Sequence, residues 1–331
     1  MKANEFIGII PPLLSSFTKE GEIYEKGIRE LVRFTLPFVH GYYPIGTYGC
    51  GPLMSTEERR RVLTIILDEV NGRVPIVAHV GHPGTQPTIK LAQHAKEAGA
   101  AGVGVISPYY SPHLPEENLY RHFASLIDAV NEDEFPVFVY NNHHYSQNAI
   151  TPKLLSRLAH HGLRGCKDSS FDIVNFFLFQ NAVSAYPDFN LIVGTEAFFM
   201  AAFDAGSKGM ICGLANVFPE LLKKMYDTYQ CGDRQQAMEL QRLILKIRDL
   251  AKSGPTVPIL HEILRIRGID AGYARSPLIE IDDTTREKVH SGLKALGLLK
   301  PSAEGSSESS CPDHRKRKDE KTSPLPNADC T

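Results

Sequence analysis

The feature that most constrains the fold of this chain is an alternation. Eight times, a short apolar run rich in β-branched residues gives way to a segment with helical periodicity. The runs are FIGIIPPLL, GYYPIGTYG, VPIVAHVG, GVGVISPYY, PVFVYNN, LRGCKDS, NLIVGT and GMICGLANV. Between them lie amphipathic stretches such as STEERRRVLTIILDEV, TIKLAQHAKEAGA and PEENLYRHFASLIDAV. Helix starts are well marked: Ser55 with Glu58 makes a capping box, and Pro115 followed by two glutamates suits a first turn. Eight strand–helix units in about 220 residues predict an α/β fold, a (β/α)8 TIM barrel. An open doubly wound sheet is the competitor, but no Gly-x-Gly-x-x-Gly follows the first run, which disfavours its dinucleotide-binding version.

The barrel is expected over 1–222. A C-terminal helical extension over 223–300 follows, carried by DRQQAMELQRLILKIRDLAK, TVPILHEILRIRG and TTREKVHSGLKALGLL and packed on the barrel. Residues 301–331 have almost no aliphatic side chains and are expected to be a disordered tail. The RKRK within it is a charge run of the kind that is usually just solvated.

Composition removes several function classes. A formal charge of −2 gives no electrostatic hint of nucleic acid or of an anionic membrane surface. No apolar run approaches the roughly 18 residues of a membrane span. The opening MKANEFIGII resembles neither a signal peptide nor a transit peptide. Six cysteines without framework spacing suggest reduced thiols and a cytoplasmic setting. Cys50, Cys166 and Cys212 fall in or beside apolar runs, as small buried hydrophobes do.

Barrel enzymes build their sites at the carboxyl ends of the strands. One rim should therefore collect Thr47 after the second run, Tyr109 and Tyr110 at the end of the fourth, Tyr140 at the fifth, Lys167 at the sixth and Gly194 at the seventh. Singly, each has a bland reading: Tyr140 a core aromatic, Thr47 a turn residue, Lys167 a partner of Asp168 or a solvated cation. Together they suggest chemistry. A lysine near pKa 10.4 is protonated at neutral pH and cannot attack a carbonyl, whereas desolvation could bring it to about 7–8. Asp168 should point away from the barrel axis if Lys167 points in, because adjacent strand residues face opposite ways. A freed amine could form an imine with a 2-oxo acid, and a tyrosine on the neighbouring strand could ferry protons.

These residues carry a resemblance. GTYGCGPLMSTEERRRV, SPYYSPHLPEENLYRHF, VFVYNN, GCKDSS and AGSKGMICGLANVFPEL are similar to the pyruvate-dependent class I aldolase family of dihydrodipicolinate synthase and N-acetylneuraminate lyase, over residues 4–299. The resemblance implies a Schiff-base lysine at Lys167, a proton-relaying tyrosine at Tyr140 and a relay threonine at Thr47. It also implies that the amides of Thr47 and Tyr48 hold the pyruvate carboxylate, and that Gly194 and Ile211 line the bound keto acid. Tyr109 and Tyr110 resemble subunit-interface tyrosines, of which Tyr110 would complete a neighbour's relay. No metal or organic cofactor is implied, since the imine is the electron sink. The implied partners are pyruvate and an aldehyde or 2-keto-3-deoxy acid, and the implied assembly is a homotetramer built as a dimer of dimers.

Departures bear on the substrate. The loop GTYGCGP places Tyr48 where the family has a second threonine and Cys50 where it has an acid, and resembles the loop of 2-keto-3-deoxygluconate aldolases. Dihydrodipicolinate synthases carry an arginine after the relay tyrosine to hold the carboxylate of the aldehyde. Positions 141–150 contain none, which counts against a lysine-biosynthetic role. The expected reaction is reversible aldol cleavage or condensation of pyruvate with an aldehyde, with a 2-keto-3-deoxy sugar acid as the favoured substrate. Condensation with aspartate semialdehyde, cleavage of 4-hydroxy-2-oxoglutarate and dehydration of a keto-deoxy sugar acid use the same imine. A metal-dependent barrel fits less well: His79 and His82 point to opposite faces of a strand, and His143–His144 and His160–His161 are adjacent pairs. A non-catalytic pyruvate-binding protein would not need Thr47, Tyr140 and Lys167 together.

Overall fold

The computed structural model describes residues 5–130 and 135–299. The expected tail over 301–331, with Cys311 and Cys330, lies outside the described residues. Among the described residues seven parallel strands form one curled sheet: β1 (Gly8–Ile10), β2 (Val77–His79), β3 (Gly102–Ile106), β4 (Val137–Asn141), β5 (Gly165–Asp168), β6 (Asn190–Val193) and β7 (Gly209–Ile211). Their order is β1-β7-β6-β5-β4-β3-β2, so β1 and β2 stand at the two ends of the ladder.

Helices occupy the crossovers: α1 (Glu25–Thr35), α2 (Thr56–Val70), α3 (Thr85–Glu97), α4 (Glu116–Val130), the single turn α5 (His143–Ser146), α6 (Pro152–His161), α7 (Ile173–Ala182), α8 (Phe199–Asp204) and α9 (Pro219–Gln230). Three more follow, α10 (Arg234–Ala251), α11 (Thr256–Ile266) and α12 (Asp283–Ala295). The capping box forms at α2: the Ser55 amide donates to Glu58 Oε2 at 2.8 Å, and the Glu58 amide donates to Ser55 Oγ at 3.1 Å. The boundary expected at 222 falls inside α9, a helix unbroken to Gln230. Among the described residues no helix is long and apolar enough to cross a membrane.

The second expected strand needs correction. GYYPIGTYG forms only an isolated parallel bridge, Tyr42 to Ile76. Pro44 lacks an N–H and Ile45 turns to φ 63, so a regular ladder cannot continue. The segment nonetheless bonds on both sides. His40 N donates to Ile9 O and Tyr43 N to Pro11 O, while Tyr42 N donates to Pro75 O and accepts at its own carbonyl from Val77 N.

Strand periodicity of two divides the core into two layers. Phe6, Ile10, Tyr43, Val77, Phe138, Ile192 and Ile211 cluster inside the curl of the sheet. The other layer, between sheet and helices, includes Val105, Val139, Cys166, Leu191 and Val193 with Phe123, Leu154 and Phe176. Register then decides where Lys167 points. Gly165 pairs with Phe138, and Lys167 pairs with Tyr140 on one side and Ile192 on the other. Lys167 therefore shares the inward face with Phe138 and Ile192, while Cys166 and Asp168 face the helices.

Candidate active site

Lys167 is buried, only 4% exposed, and its Nζ lies 4.0 Å from the ring centroid of Tyr140 and 4.5 Å from that of Tyr43. The ion pairs among the described residues do not include it. Asp168, the residue that could have neutralised it, faces the other way. Its Oδ1 accepts from Asn141 Nδ2 at 2.7 Å and its Oδ2 from Ser170 Oγ at 2.8 Å. Burial, with no carboxylate to offset it, lowers the Lys167 ammonium pKa to about 7.

Tyr140 is buried beside the lysine, and its hydroxyl oxygen accepts from Asn142 Nδ2 at 2.8 Å. Because that oxygen is already an acceptor, the phenolic proton is free to be donated elsewhere. Tyr43 closes the floor, 1% exposed, and its hydroxyl has no hydrogen-bond partner among the described residues.

Above this floor is a cavity of about 240 Å³. Thr47, Tyr48, Tyr140, Lys167, Gly194 and Ile211, all expected at the site, line it together. Thr47 and Tyr48 sit on a tight loop in which Gly51 N donates to Gly46 O at 3.0 Å and Cys50 N to Thr47 O at 3.2 Å. Left-handed residues flank the pair, Ile45 at φ 63 and Cys50 at φ 54. A Cβ on Gly51 would collide with the Ile45 carbonyl, so that position admits only glycine. Gly194 is required in the same way: a Cβ there would collide with Ser169 Oγ and stand 2.7 Å from Asp168 O. The ring of Tyr48 lies against Gly213, another residue of the cavity wall.

Two expected residues lie elsewhere. Tyr109 lines an adjoining cavity of about 400 Å³ with Cys50, Leu53 and His79, and the two cavities share Thr47, Tyr145, Thr256 and Val257. Tyr110 is 85% exposed and lines neither. Among the described residues no group of three or more His, Cys, Asp or Glu is arranged to hold a metal ion.

Residues 5–296 match the dihydrodipicolinate synthetase family. The chain belongs to that family. It is 36% identical over 294 residues to an uncharacterized DapA-like lyase of Halobacterium salinarum, covering 88% of this chain and 94% of the relative. It is 31% identical over 301 residues to a probable 2-dehydro-3-deoxy-D-pentonate aldolase of Escherichia coli, covering 89% and 99%. It is 34% identical over 299 residues to a 4-hydroxy-tetrahydrodipicolinate synthase of Methanopyrus kandleri, covering 88% and 97%. Among solved structures, a prophage protein of the dihydrodipicolinic acid synthase family from E. coli K12, in complex with pyruvate, superposes with a TM-score of 0.85 at 27% identity, over 89% of this chain and 99% of that one. The protein is thus a DapA-like lyase.

Within this family framework the structure adds residues that sequence reasoning missed. Glu196, 6% exposed, lines the cavity, and burial raises its carboxyl pKa. Arg248 from α10 reaches in from outside the sheet, its Nε 3.2 Å from Glu196 Oε1 in an ion pair not aimed as a hydrogen bond. Lys252, at the end of the same helix, lines the cavity too. Positions 141–150 hold no arginine, but Arg248 and Lys252 bring two cations to the cavity from a distant part of the sequence. Glu196 follows Gly194 by two residues at a strand's end and was findable by the rim rule. Nothing in the periodicity of α10 marks Arg248.

Proposed function

We propose that this lyase is a Schiff-base class I aldolase that joins Lys167 covalently to pyruvate. One observation carries the reading: a buried lysine with a pKa brought down to about 7, without an ion pair among the described residues and pressed on the ring of Tyr140, at the base of a cavity. At neutral pH a substantial fraction of such an amine is uncharged and can attack a ketone carbon. Loss of water gives the imine. Its electron-withdrawing nitrogen accepts the electron pair of the C3–C4 bond as a 4-hydroxy substrate splits, leaving an enamine and releasing an aldehyde. Protonation of the enamine and hydrolysis return pyruvate and the free amine.

Tyr140 relays the hydroxyl proton: as it accepts that proton it passes its own phenolic proton on to Thr47, and the reverse transfer returns it, with Asn142 holding the phenolic oxygen. The amides of Thr47 and Tyr48 make no hydrogen bond among the described residues, which leaves them to the pyruvate carboxylate. Gly194 and Ile211 line the keto acid. The architecture we assign is a (β/α)8 barrel whose second stave is the segment 40–44, bonded to β1 and β2. The imine supplies the electron sink, so the reading calls for no metal or organic cofactor.

For the second substrate we favour a hydroxylated aldehyde, hence a 2-keto-3-deoxy sugar acid. Tyr48, His144, Thr195 and Glu196 offer hydroxyl-pairing groups around the cavity, and the E. coli relative is a probable aldolase of that kind. A second reading, condensation with aspartate semialdehyde, gains from Arg248 and Lys252, which could meet a carboxylate. The assembly we propose is a cytoplasmic homo-oligomer, a dimer of dimers, in which the exposed Tyr110 enters a neighbour's relay.

Borohydride reduction in the presence of pyruvate tests the chemistry. A stable adduct on Lys167 is expected, and its absence overturns the reading. Aldehydes screened against pyruvate by product mass then rank the acceptors, with aspartate semialdehyde in first place favouring the second reading.

A further inference from the structure

Phe171 occupies a backbone position made for glycine. Its φ is 59, in the left-handed region where a bulky side chain is an outlier. Both neighbours hold it there. Ser170 is tied to Asp168 through its amide (3.2 Å to Oδ1) and its hydroxyl (2.8 Å to Oδ2). Asp172 caps α7, accepting from the amides of Val174 and Asn175 at 2.9 and 3.2 Å. None of these bonds uses the Phe171 side chain, so glycine would serve the turn better.

Core packing does not explain the ring, which is 46% exposed. What it touches belongs to the cavity. The guanidinium of Arg248, the ion-pair partner of Glu196, lies 5.7 Å from its centroid, and the His144 ring lies at 6.2 Å. A residue that lines the cavity and is half exposed stands at its opening, as do His144 and Tyr145. Lys167, Tyr140 and Ile211 form the buried end.

We infer that Phe171 is a specificity-determining residue: its ring is an apolar platform at the cavity mouth for the carbons of the substrate beyond the bond that is cleaved. This rests on the Schiff-base reading above. A three-carbon acid bound at Lys167 ends short of the mouth, whereas a six-carbon 2-keto-3-deoxy acid must extend towards it. C–H groups polarised by neighbouring hydroxyls match the negative face of an aromatic ring, and the hydroxyls on the opposite side remain free for His144 and water. The ligand class is therefore a polyhydroxylated chain with one apolar face.

Phe171→Gly separates this role from a structural one. The variant should keep wild-type thermal stability or exceed it, because it relieves the left-handed strain. It should trap pyruvate on Lys167 at the wild-type half-saturating concentration. Its KM for a six-carbon 2-keto-3-deoxy acid should rise about tenfold, with Phe171→Tyr restoring it because the ring face returns. The inference is overturned if Phe171→Gly lowers stability, if pyruvate trapping weakens in step with the longer acid, if KM is unchanged, or if the wild type forms the pyruvate adduct but does not turn over the six-carbon acid. Failure of the wild type to form any adduct defeats the Schiff-base reading instead, so the two are told apart.

Discussion

Tyr140 and Lys167 are register partners on adjacent strands, and the amine nitrogen of the lysine stands 4.0 Å from the centre of the tyrosine ring. The pairing sets two influences against each other. The ring face attracts an ammonium, while burial expels its charge, and the lowered pKa says that burial prevails.

Tyr140→Phe keeps the ring and removes only the hydroxyl held by Asn142. The pyruvate adduct should still form under borohydride, while aldol turnover falls by about 10²–10⁴, the usual contribution of a positioned proton carrier. Comparing adduct yield with steady-state rate checks this, and parallel loss of both would count against the proton-relay role.

The Lys167 amine should govern pH dependence in a defined direction. Below pH 7 both folded and unfolded chains carry its proton, and the folded chain bears the full penalty of burying it. Between about 7 and the ordinary value of 10.5 the unfolded chain binds more protons, so stability rises with pH across that window. Lys167→Met lacks this penalty. Its Tm should exceed that of the wild type most at pH 6, and the gap should narrow towards pH 9. Adduct formation by the wild type should rise through pH 7 as the amine is freed.

Gly194→Ala places a methyl against Ser169 Oγ and the Asp168 carbonyl. The hydroxyl can rotate away but the backbone cannot, so overpacking should destabilise by about 1–3 kcal/mol. Thermal unfolding reads the first effect. A raised half-saturating pyruvate concentration in trapping experiments reads the second, because the strand ends that line the site must part.

Arg248→Met removes the ion-pair partner of the buried Glu196 carboxyl and leaves only the longer-range charge of Lys252 near it. Loss of one partner of a buried pair costs about 3–5 kcal/mol when the other stays charged. A carboxyl whose folded pKa is raised loses stability as pH climbs through that pKa. The variant's Tm deficit should therefore be larger at pH 8 than at pH 5, and Glu196→Gln in the same chain should remove most of its pH dependence.

Much of this molecule is legible in its sequence. Seven of the apolar runs became strands, and Lys167 stood out because its run ended among small polar residues. The run around Tyr42 misled because a proline and a left-handed isoleucine ended its pairing after one bridge, a conflict that hydrophobicity does not record. Arg248 was hidden for a different reason. On α10 it occupies a position that suits an ordinary solvated face, and only tertiary packing turns it towards Glu196. Phe171 was overlooked because φ cannot be read from a side chain that defies it.

The hydrogen bonds of the segment 40–44 have a consequence for how copies of this chain can meet. β1 and β2 would otherwise present open ladders, the usual templates for strand addition and aggregation. Both already spend amides or carbonyls on the same short peptide between them. Self-association must then run through side chains on helices and loops, and a substitution that loosened Tyr42 would unmask two sticky borders at once.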